Sequence, residues 1–215
     1  MAKNKPMTFD GSKLSPWQVL ETANAYYELS KPFADSVHAA GYVGDYDMHK
    51  SVASATNRIL ALELYIKAIL VAIGLDVPKV HDLSILFQAL PEERRKTLSE
   101  RFDYGCSVAG PKMSVSLESS FQLTYVEREL ELAEPPPPRH DPSLEGLLAR
   151  NHDGFRVSRY LFAEAKIDKL ETYNYEFNRL GLACLVLCEM LERDLKPRPS
   201  TYKREFNFSP EPMPS

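Results

Sequence analysis

The stretch from Arg58 to Gly74 constrains the fold more than any other part of the chain. Apolar residues cover almost every side of a helix drawn on it, which predicts a helix buried on several sides at the centre of a bundle. We expect this central helix to begin near His49 and to end at Gly74. Its main stripe comprises Ala55, Ile59, Leu62, Ile66, Ile69 and Ile73, and its flanks comprise Leu60, Leu64, Val71 and Leu75.

Two opposite charges, Glu63 and Lys67, lie one helical turn apart in the middle of this stretch. A membrane-spanning helix needs about 20 apolar residues with few charges, so the stretch is not predicted to cross a membrane. Two charges withdrawn from water need further hydrogen-bonding partners. We therefore expect other polar side chains to converge on this pair.

Helix-start signals flank the central helix on both sides. Before it, Ser15 followed by Pro16 predicts a first helix, which Pro32 should kink or split in two. After it, His81 and Asp82 precede a short apolar stripe at helical spacing. We expect the Asp82 carboxylate to cap this short helix at the backbone N–H groups near Ile85, and His81 to pack against the central helix.

The second half of the chain is also predicted to be mainly helical. Residues 91–104 predict a charged helix, 105–114 a loop, and 116–133 a further helix. A proline-rich connection over 134–142 should be extended, and Asp141-Pro142 should start the next helix. That helix would carry Leu144, Leu147, Leu148, Phe155 and Phe162, and a long last helix would carry Leu170, Tyr173, Phe177, Leu180, Cys184, Leu187 and Leu191.

These patterns predict an all-α antiparallel helical bundle with a kinked first helix, a long central helix and a long C-terminal helix. No strand pattern of convincing length interrupts them. We expect residues 15–195 to form one domain, with a flexible N-terminus over 1–14 and a disordered tail over 196–215.

Composition limits the classes of partner. The net charge of −4 and pI near 5.8 argue against a strongly electrostatic nucleic-acid binder. DNA is therefore not predicted, although a local basic patch could still hold RNA. Three cysteines without a disulfide-framework spacing and a start without an apolar signal region predict a cytoplasmic protein. Cys184 and Cys188 are expected to share one face of the last helix as small core residues.

Three stretches, Ala61–Leu70, His81–Phe87 and Phe155–Phe162, resemble in order and spacing the HEPN-like proteins of prokaryotes. The resemblance spans residues 17–195 and implies a helical bundle. It also implies a polar cluster formed by Glu63, Lys67, His81, Asp82, Arg159 and Tyr160. One departure is that Ala163 stands where the family pattern tends to have Glu, with Glu164 one residue later. We expect Glu63 and Lys67 to meet Arg159 or Tyr160.

Many HEPN domains are metal-independent ribonucleases that use an Arg and a His separated by four to six residues. No histidine of this chain has an Arg at the corresponding position before it. Arg150 and Asn151 look like the first half of that motif, but His152 follows Arg150 too closely to complete it. The family's usual route to ribonuclease chemistry is therefore not predicted.

Three functions remain open. The first is a HEPN-like binding or assembly module in a defence or toxin–antitoxin setting, which binds RNA or pairs with itself or another helical protein. The second is a ribonuclease with a non-standard constellation of Arg150, Asn151, His152 and Arg156. The third is a purely structural dimerising protein. Self-association is expected through the face that carries Arg150, Asn151 and Arg156, and neither metal nor cofactor is predicted.

Overall fold

A computed structural model describes residues 7–40, 48–109, 117–121, 141–152 and 171–195. The helices are α1 (Pro16–Ala40), α2 (Met48–Ala72), α3 (Leu83–Gln88), α4 (Glu92–Ala109), α5 (Leu144–Arg150) and α6 (Phe177–Asp194). The strands are β1 (Thr8–Phe9), β2 (Val77–Pro78), β3 (Leu117–Phe121) and β4 (Glu171–Tyr175). Within these ranges the strands form only two small two-stranded ladders. The predicted all-α helical fold is confirmed.

The core is organised around α2, which packs against α1, α6 and α3. The predicted stripe of α2 is buried up to Ile69, while Ile73 is partly exposed because it lies beyond the last helical residue. Gly74 has a φ of +74°, and Leu75 N–H donates to the Leu70 carbonyl at 2.9 Å. This glycine-dependent cap ends the helix where the sequence predicts. Leu75 itself, expected on a flank, is exposed.

Helix α1 is continuous through Pro32. The predicted alternative of two separate helices is therefore wrong, while a kink at Pro32 stays a prediction. A proline inside a helix removes one backbone hydrogen bond, and the long packing contact with α2 can outweigh that loss. The buried side chains of Leu20 and Ala23 contribute to this contact.

Buried polar groups also join α1, α2 and α6. The Arg58 Nε donates to the Ser30 Oγ at 3.2 Å, and the Cys184 Sγ lies 3.7 Å from the Arg58 carbonyl oxygen. The Tyr65 hydroxyl donates to the Asn24 Oδ1 at 2.6 Å. Burial raises the pKa of both Tyr65 and Cys184, so both stay protonated at neutral pH. As predicted, Cys184 is a small core residue of the last helix.

The N-terminal segment lies against the end of α2. Strand β1 pairs with β2 in antiparallel register, with Thr8 opposite Pro78 and Phe9 opposite Val77. A short 3-10 helix, Gly11–Lys13, follows β1. A Cβ at Gly11 would lie 2.4 Å from the Leu75 carbonyl oxygen, so only glycine allows this close approach. Residues 8–13 thus take a defined conformation within the segment predicted to be flexible, and the predicted domain limits stay predictions.

Two helix predictions in the second half are wrong. Part of the helix predicted over 116–133 is strand β3, and the last helix begins at Phe177 after strand β4. The two strands pair antiparallel, from Leu117 opposite Tyr175 to Phe121 opposite Glu171. The β4 sequence is rich in Thr and Tyr, which favour strands, and the serines of β3 are poor helix formers.

Helix α4 continues to Ala109, so the loop predicted from Gly105 onwards is wrong as far as residue 109. A Cβ at Gly105 would lie 2.8 Å from a methyl carbon of Leu182 on α6. This glycine therefore permits close helix packing and does not form a turn.

Helix α5 is shorter than predicted. It ends at Arg150, and Asn151 and His152 form a turn, whereas the prediction continued the helix to Phe162. Its N-cap is Ser143, whose Oγ accepts from the Gly146 N–H at 3.0 Å, and not the predicted Asp141-Pro142. Phe155 and Phe162, the proline run over 135–138 and the tail over 196–215 lie outside the described residues.

Candidate functional site

A buried carboxylate on α2 forms the first candidate site, which we call the Glu63 cluster (Glu63, Lys67 and His81). The Glu63 side chain is 3% exposed, and its Oε1 accepts from the Lys67 Nζ at 2.6 Å. The His81 Nδ1 lies 3.0 and 3.1 Å from the two carboxylate oxygens. Because a carboxylate only accepts hydrogen bonds, Nδ1 carries the proton. The His81 side chain thus contacts the central helix through Glu63, as predicted, although 64% of it is exposed.

The Asp82 carboxylate serves the backbone of α3. Its Oδ1 accepts from the N–H groups of Ser84 at 2.8 Å and Ile85 at 3.0 Å, which confirms the predicted N-cap. The structure thus brings Glu63, Lys67 and His81 together and directs Asp82 to the start of α3. Arg159 and Tyr160, the other two residues of the predicted polar cluster, lie outside the described residues.

A second buried carboxylate joins α5 to α6, and we call this the Glu176 cluster (Arg150, Glu176 and Arg179). The Arg150 Nε donates to the Glu176 Oε2 at 2.9 Å, and its Nη2 donates to Oε1 at 3.1 Å. The Arg179 Nη1 donates to the same Oε1 at 3.1 Å. Glu176 is the N-cap residue of α6 but makes no side-chain cap, because its carboxylate is used by the two arginines.

Backbone oxygens just before α5 complete the Glu176 cluster. The Arg150 Nη1 donates to the Asp141 carbonyl at 2.7 Å, and the Arg179 Nη2 donates to the Pro142 carbonyl. Hydrogen bonds from the Ser143 backbone and side chain, with smaller contributions from Arg150 and Arg179, lower the pKa of the exposed Asp141 carboxyl. Glu176 and Arg179 are not among the residues predicted from the sequence. Their spacing of three residues is a local signal that could have indicated the pair, whereas Arg150 lies 26 residues before Glu176 and no local spacing relates those two.

The other described residues of the non-standard constellation are Asn151 and His152. Their side chains hydrogen-bond to backbone carbonyl groups of α5. The buried Asn151 Nδ2 donates to the Leu147 carbonyl at 2.9 Å. The His152 Nδ1 lies 2.8 Å from the Ala149 carbonyl oxygen, which can only accept, so this nitrogen carries the proton. In the neutral ring the Nε2 is then the proton acceptor. Arg156 lies outside the described residues.

An open groove between α4 and α6 is a further candidate site. It has a volume of about 480 Å³. Its lining comprises Thr97, Glu100, Arg101, Tyr104 and Gly105 from α4, with Leu182, Val186, Glu189 and Arg193 from α6. Two exposed apolar residues, Val108 and Leu185, lie one helical turn from lining positions. The groove therefore combines apolar surface with a charged rim, which we call the α4–α6 groove.

The described part of the chain holds no group of three or more His, Cys, Asp or Glu side chains placed to bind a metal ion. In the same residues, no helix has the length and apolar character needed to span a bilayer.

The fold and the Glu63 cluster define an all-α protein with a buried acid–base pair on its central helix. The HEPN domain family model matches residues 46–109, which contain α2, α3 and α4 together with Glu63, Lys67, His81 and Asp82. The predicted resemblance to HEPN-like proteins is therefore confirmed for this part of the chain. Comparisons with curated proteins and with solved structures found no match.

Proposed function

We propose that this protein is a HEPN-like binding and assembly module that pairs with a helical protein partner in a defence or toxin–antitoxin setting. The setting comes from the roles associated with HEPN domains. The observation that carries the proposal is the α4–α6 groove: its lining residue Tyr104 is 72% exposed, and Val108, one helical turn further along α4, is 69% exposed. Large apolar side chains at the edge of an open groove are typical of a protein-binding surface.

The hydrogen bonds of Arg150 and Asn151 support binding over catalysis. The Arg150 guanidinium contacts the Glu176 carboxylate with two nitrogens and the Asp141 carbonyl with the third. The Asn151 amide is buried against Leu147. Groups held in this way would have to break intramolecular contacts before they could bind a phosphodiester. They are better suited to fixing α5 against α6 than to contacting a substrate.

Light scattering with an RNA-binding assay tests the proposal. We expect the purified protein to associate with itself or with a helical partner at micromolar concentration. We also expect labelled single-stranded RNA to remain uncleaved over hours. If the protein retains RNA without cleaving it, the result supports a binding module whose partner is RNA. A protein that stays monomeric, binds no RNA and captures no helical partner would contradict the proposal and favour a purely structural role.

A ribonuclease is the second candidate, and the His152 geometry favours it. Because Nδ1 donates to the Ala149 carbonyl, the exposed imidazole of His152 has the tautomer that a general base requires at Nε2. If this candidate is correct, the protein cleaves RNA and His152→Gln abolishes the cleavage at unchanged stability. His81→Gln serves as the matched control on another exposed imidazole.

A further inference from the structure

The α4–α6 groove opens beside the point where the chain leaves α6. The Arg94 Nη1 lies 2.6 Å from the Asp194 Oδ2, so the start of α4 meets the end of α6. On α6 the groove lining extends from Arg193, at this end, back to Leu182. Leu195 follows α6 in an extended backbone conformation, with φ −79° and ψ 120°. The segment 196–215 therefore begins within a few residues of one end of the groove.

The segment 196–215 has the length to cover the groove. An α-helix rises about 1.5 Å per residue, so the lining from Arg193 to Leu182 extends over about 17 Å. An extended chain covers up to about 3.3 Å per residue, so the residues from Lys196 to Phe206 can extend over about 36 Å. This length allows for a reversal of direction after α6 followed by a run along the whole groove. Pro197 and Pro199 disfavour a continued helix.

The apolar residues of this segment match the apolar surface of the groove. Three aromatic residues, Tyr202, Phe206 and Phe208, lie in a segment that has too little apolar surface to fold alone. Their rings can be buried only against another part of the protein or a partner. The groove presents the exposed side chains of Tyr104 and Val108 at one edge. Contacts between aromatic rings contribute beyond the area that they bury.

The charges of the two surfaces are complementary. The last two turns of α6 carry Glu189, Glu192 and Asp194, with Arg193 as their one basic residue. The Glu189 side chain is 62% exposed and lies 4.0 Å from Arg101, a separation that leaves the carboxylate open to a closer partner. The segment after α6 is basic in its first half, where the bases are Lys196, Arg198, Lys203 and Arg204 and the acid is Glu205. Opposite charges on facing surfaces favour their association.

We infer that the segment 196–215 of this chain folds back along α6 and occupies the α4–α6 groove, where it competes with the helical partner. The inference rests on the proposed function, since it adds regulation to the surface assigned to that partner. The aromatic residues of the segment cover Tyr104 and Val108, and its basic residues lie against the acidic end of α6. A partner then binds only by displacing the segment.

Covalent attachment makes a weak contact sufficient. A segment joined by a short linker has an effective concentration of about 1 mM at its site. If the free segment bound the groove with a dissociation constant of about 100 µM, the attached segment would occupy it about 90% of the time. A competitor would then bind about tenfold more weakly to the intact chain than to a chain whose segment cannot dock.

Photo-crosslinking in the full chain is the first test. A photoreactive benzoylphenylalanine in place of Tyr104 should crosslink to the segment 196–215 within the same polypeptide. Mass spectrometry identifies the crosslinked peptide, and migration as a monomer on a denaturing gel shows that the crosslink is intramolecular. The control is the same residue in place of Leu29 on α1, which is similarly exposed and lies outside the groove. It should give no crosslink to the segment.

Competition with a free peptide is the second test. A fluorescent synthetic peptide of residues 196–215 is titrated with the full chain, and anisotropy gives its dissociation constant. The full-chain variant Phe206→Glu/Phe208→Glu should bind this wild-type peptide about tenfold more tightly than the wild-type chain does, because its own segment no longer occupies the groove. The control variant Met213→Glu/Ser215→Glu adds the same charge and keeps the three aromatic residues. It should bind the peptide as the wild-type chain does.

Three outcomes overturn the inference. Crosslinks from position 104 that never reach the segment place it elsewhere. Equal peptide affinities for the wild-type chain and Phe206→Glu/Phe208→Glu show that the attached segment does not block the groove. Peptide binding that survives Tyr104→Glu in the Phe206→Glu/Phe208→Glu chain shows that the peptide binds another surface. Capture of a helical partner at the groove in any of these cases leaves the proposed function standing. A segment that docks as expected, in a chain that still captures no helical partner after Phe206→Glu/Phe208→Glu, supports the contact and contradicts the proposed function.

Discussion

In the Glu63 cluster the buried carboxylate is met by Lys67 from the same helix, whereas in the Glu176 cluster it is met by Arg150 from a different helix. Both carboxylates are largely removed from water, and both contact two basic side chains. The pair of Glu63 and Lys67 forms within α2. Glu63 also contacts the exposed His81, which follows α2 in the chain. The second joins α5 to α6 and also contacts the backbone before α5.

The difference shows which buried charges can be found from a sequence. An acid and a base four residues apart on an apolar helix form a pair by helical geometry alone. An acid and a base on separate helices meet only after those helices pack. The two clusters should also differ in stability, because removal of Glu63 leaves one largely buried cation and removal of Glu176 leaves two.

The largest effect is expected for Glu176→Ala. The substitution leaves the guanidinium groups of Arg150 and Arg179 without their shared carboxylate in a mostly buried setting. We expect it to lower the free energy of unfolding by about 3 kcal/mol. Urea denaturation followed by circular dichroism measures the change.

The control for this prediction is Glu100→Ala. The Glu100 side chain is exposed and lies 4.0 Å from Lys96, so its loss should change the free energy of unfolding by less than about 0.5 kcal/mol. If Glu176→Ala and Glu100→Ala lower the free energy of unfolding equally, the Glu176 cluster contributes no more to stability than a surface ion pair.

Glu63→Ala should have the next largest effect. The Lys67 ammonium would lose its 2.6 Å partner while most of the side chain stays buried. We expect a loss of about 2 kcal/mol in the free energy of unfolding. If Glu63→Ala proves less stable than Glu176→Ala, the loss of stability does not depend on the number of cations left without a carboxylate. The expected difference between the two clusters would then be wrong.

A double substitution sharpens the same comparison. Glu63→Ala combined with Lys67→Met removes the orphaned charge and keeps an unbranched apolar stem. We expect it to recover about 1 kcal/mol relative to Glu63→Ala alone. Thermal unfolding of the wild type, both single variants and the double variant completes the cycle. A double variant as unstable as the sum of the singles would indicate that His81, and not Lys67, carries the coupling.

The sequence predicts the central helix, its stop at Gly74 and the cap at Asp82 because each depends on neighbouring residues. The start of the last helix is missed because Leu170, Tyr173 and Phe177 fit a helical spacing, whereas local residues favour a strand. The role of Gly105 is also missed, since a glycine that marks a turn looks the same in sequence as one that contacts Leu182. The contact of Arg150 with Glu176 is missed because it forms only when α5 packs on α6.

The smallest effect concerns the caps beside the two clusters. Asp82 begins α3 next to the Glu63 cluster, and Ser143 begins α5 next to the Glu176 cluster. Asp82→Ala and Ser143→Ala should each lower the free energy of unfolding by about 1 kcal/mol, since each leaves backbone N–H groups without an acceptor. Asp82→Asn should cost far less, because asparagine caps a helix nearly as well as aspartate.

The Leu83 N–H donates to the His152 carbonyl at 3.3 Å, so the start of α3 and the end of α5 are in contact. If the effects of the two alanine substitutions are additive, the two caps are independent. A double variant that departs from additivity by more than about 0.5 kcal/mol indicates that the caps are coupled through this contact. Loss of a measured RNA-cleavage activity in Asp82→Asn at unchanged stability would instead assign Asp82 a catalytic role and contradict its assignment as a cap.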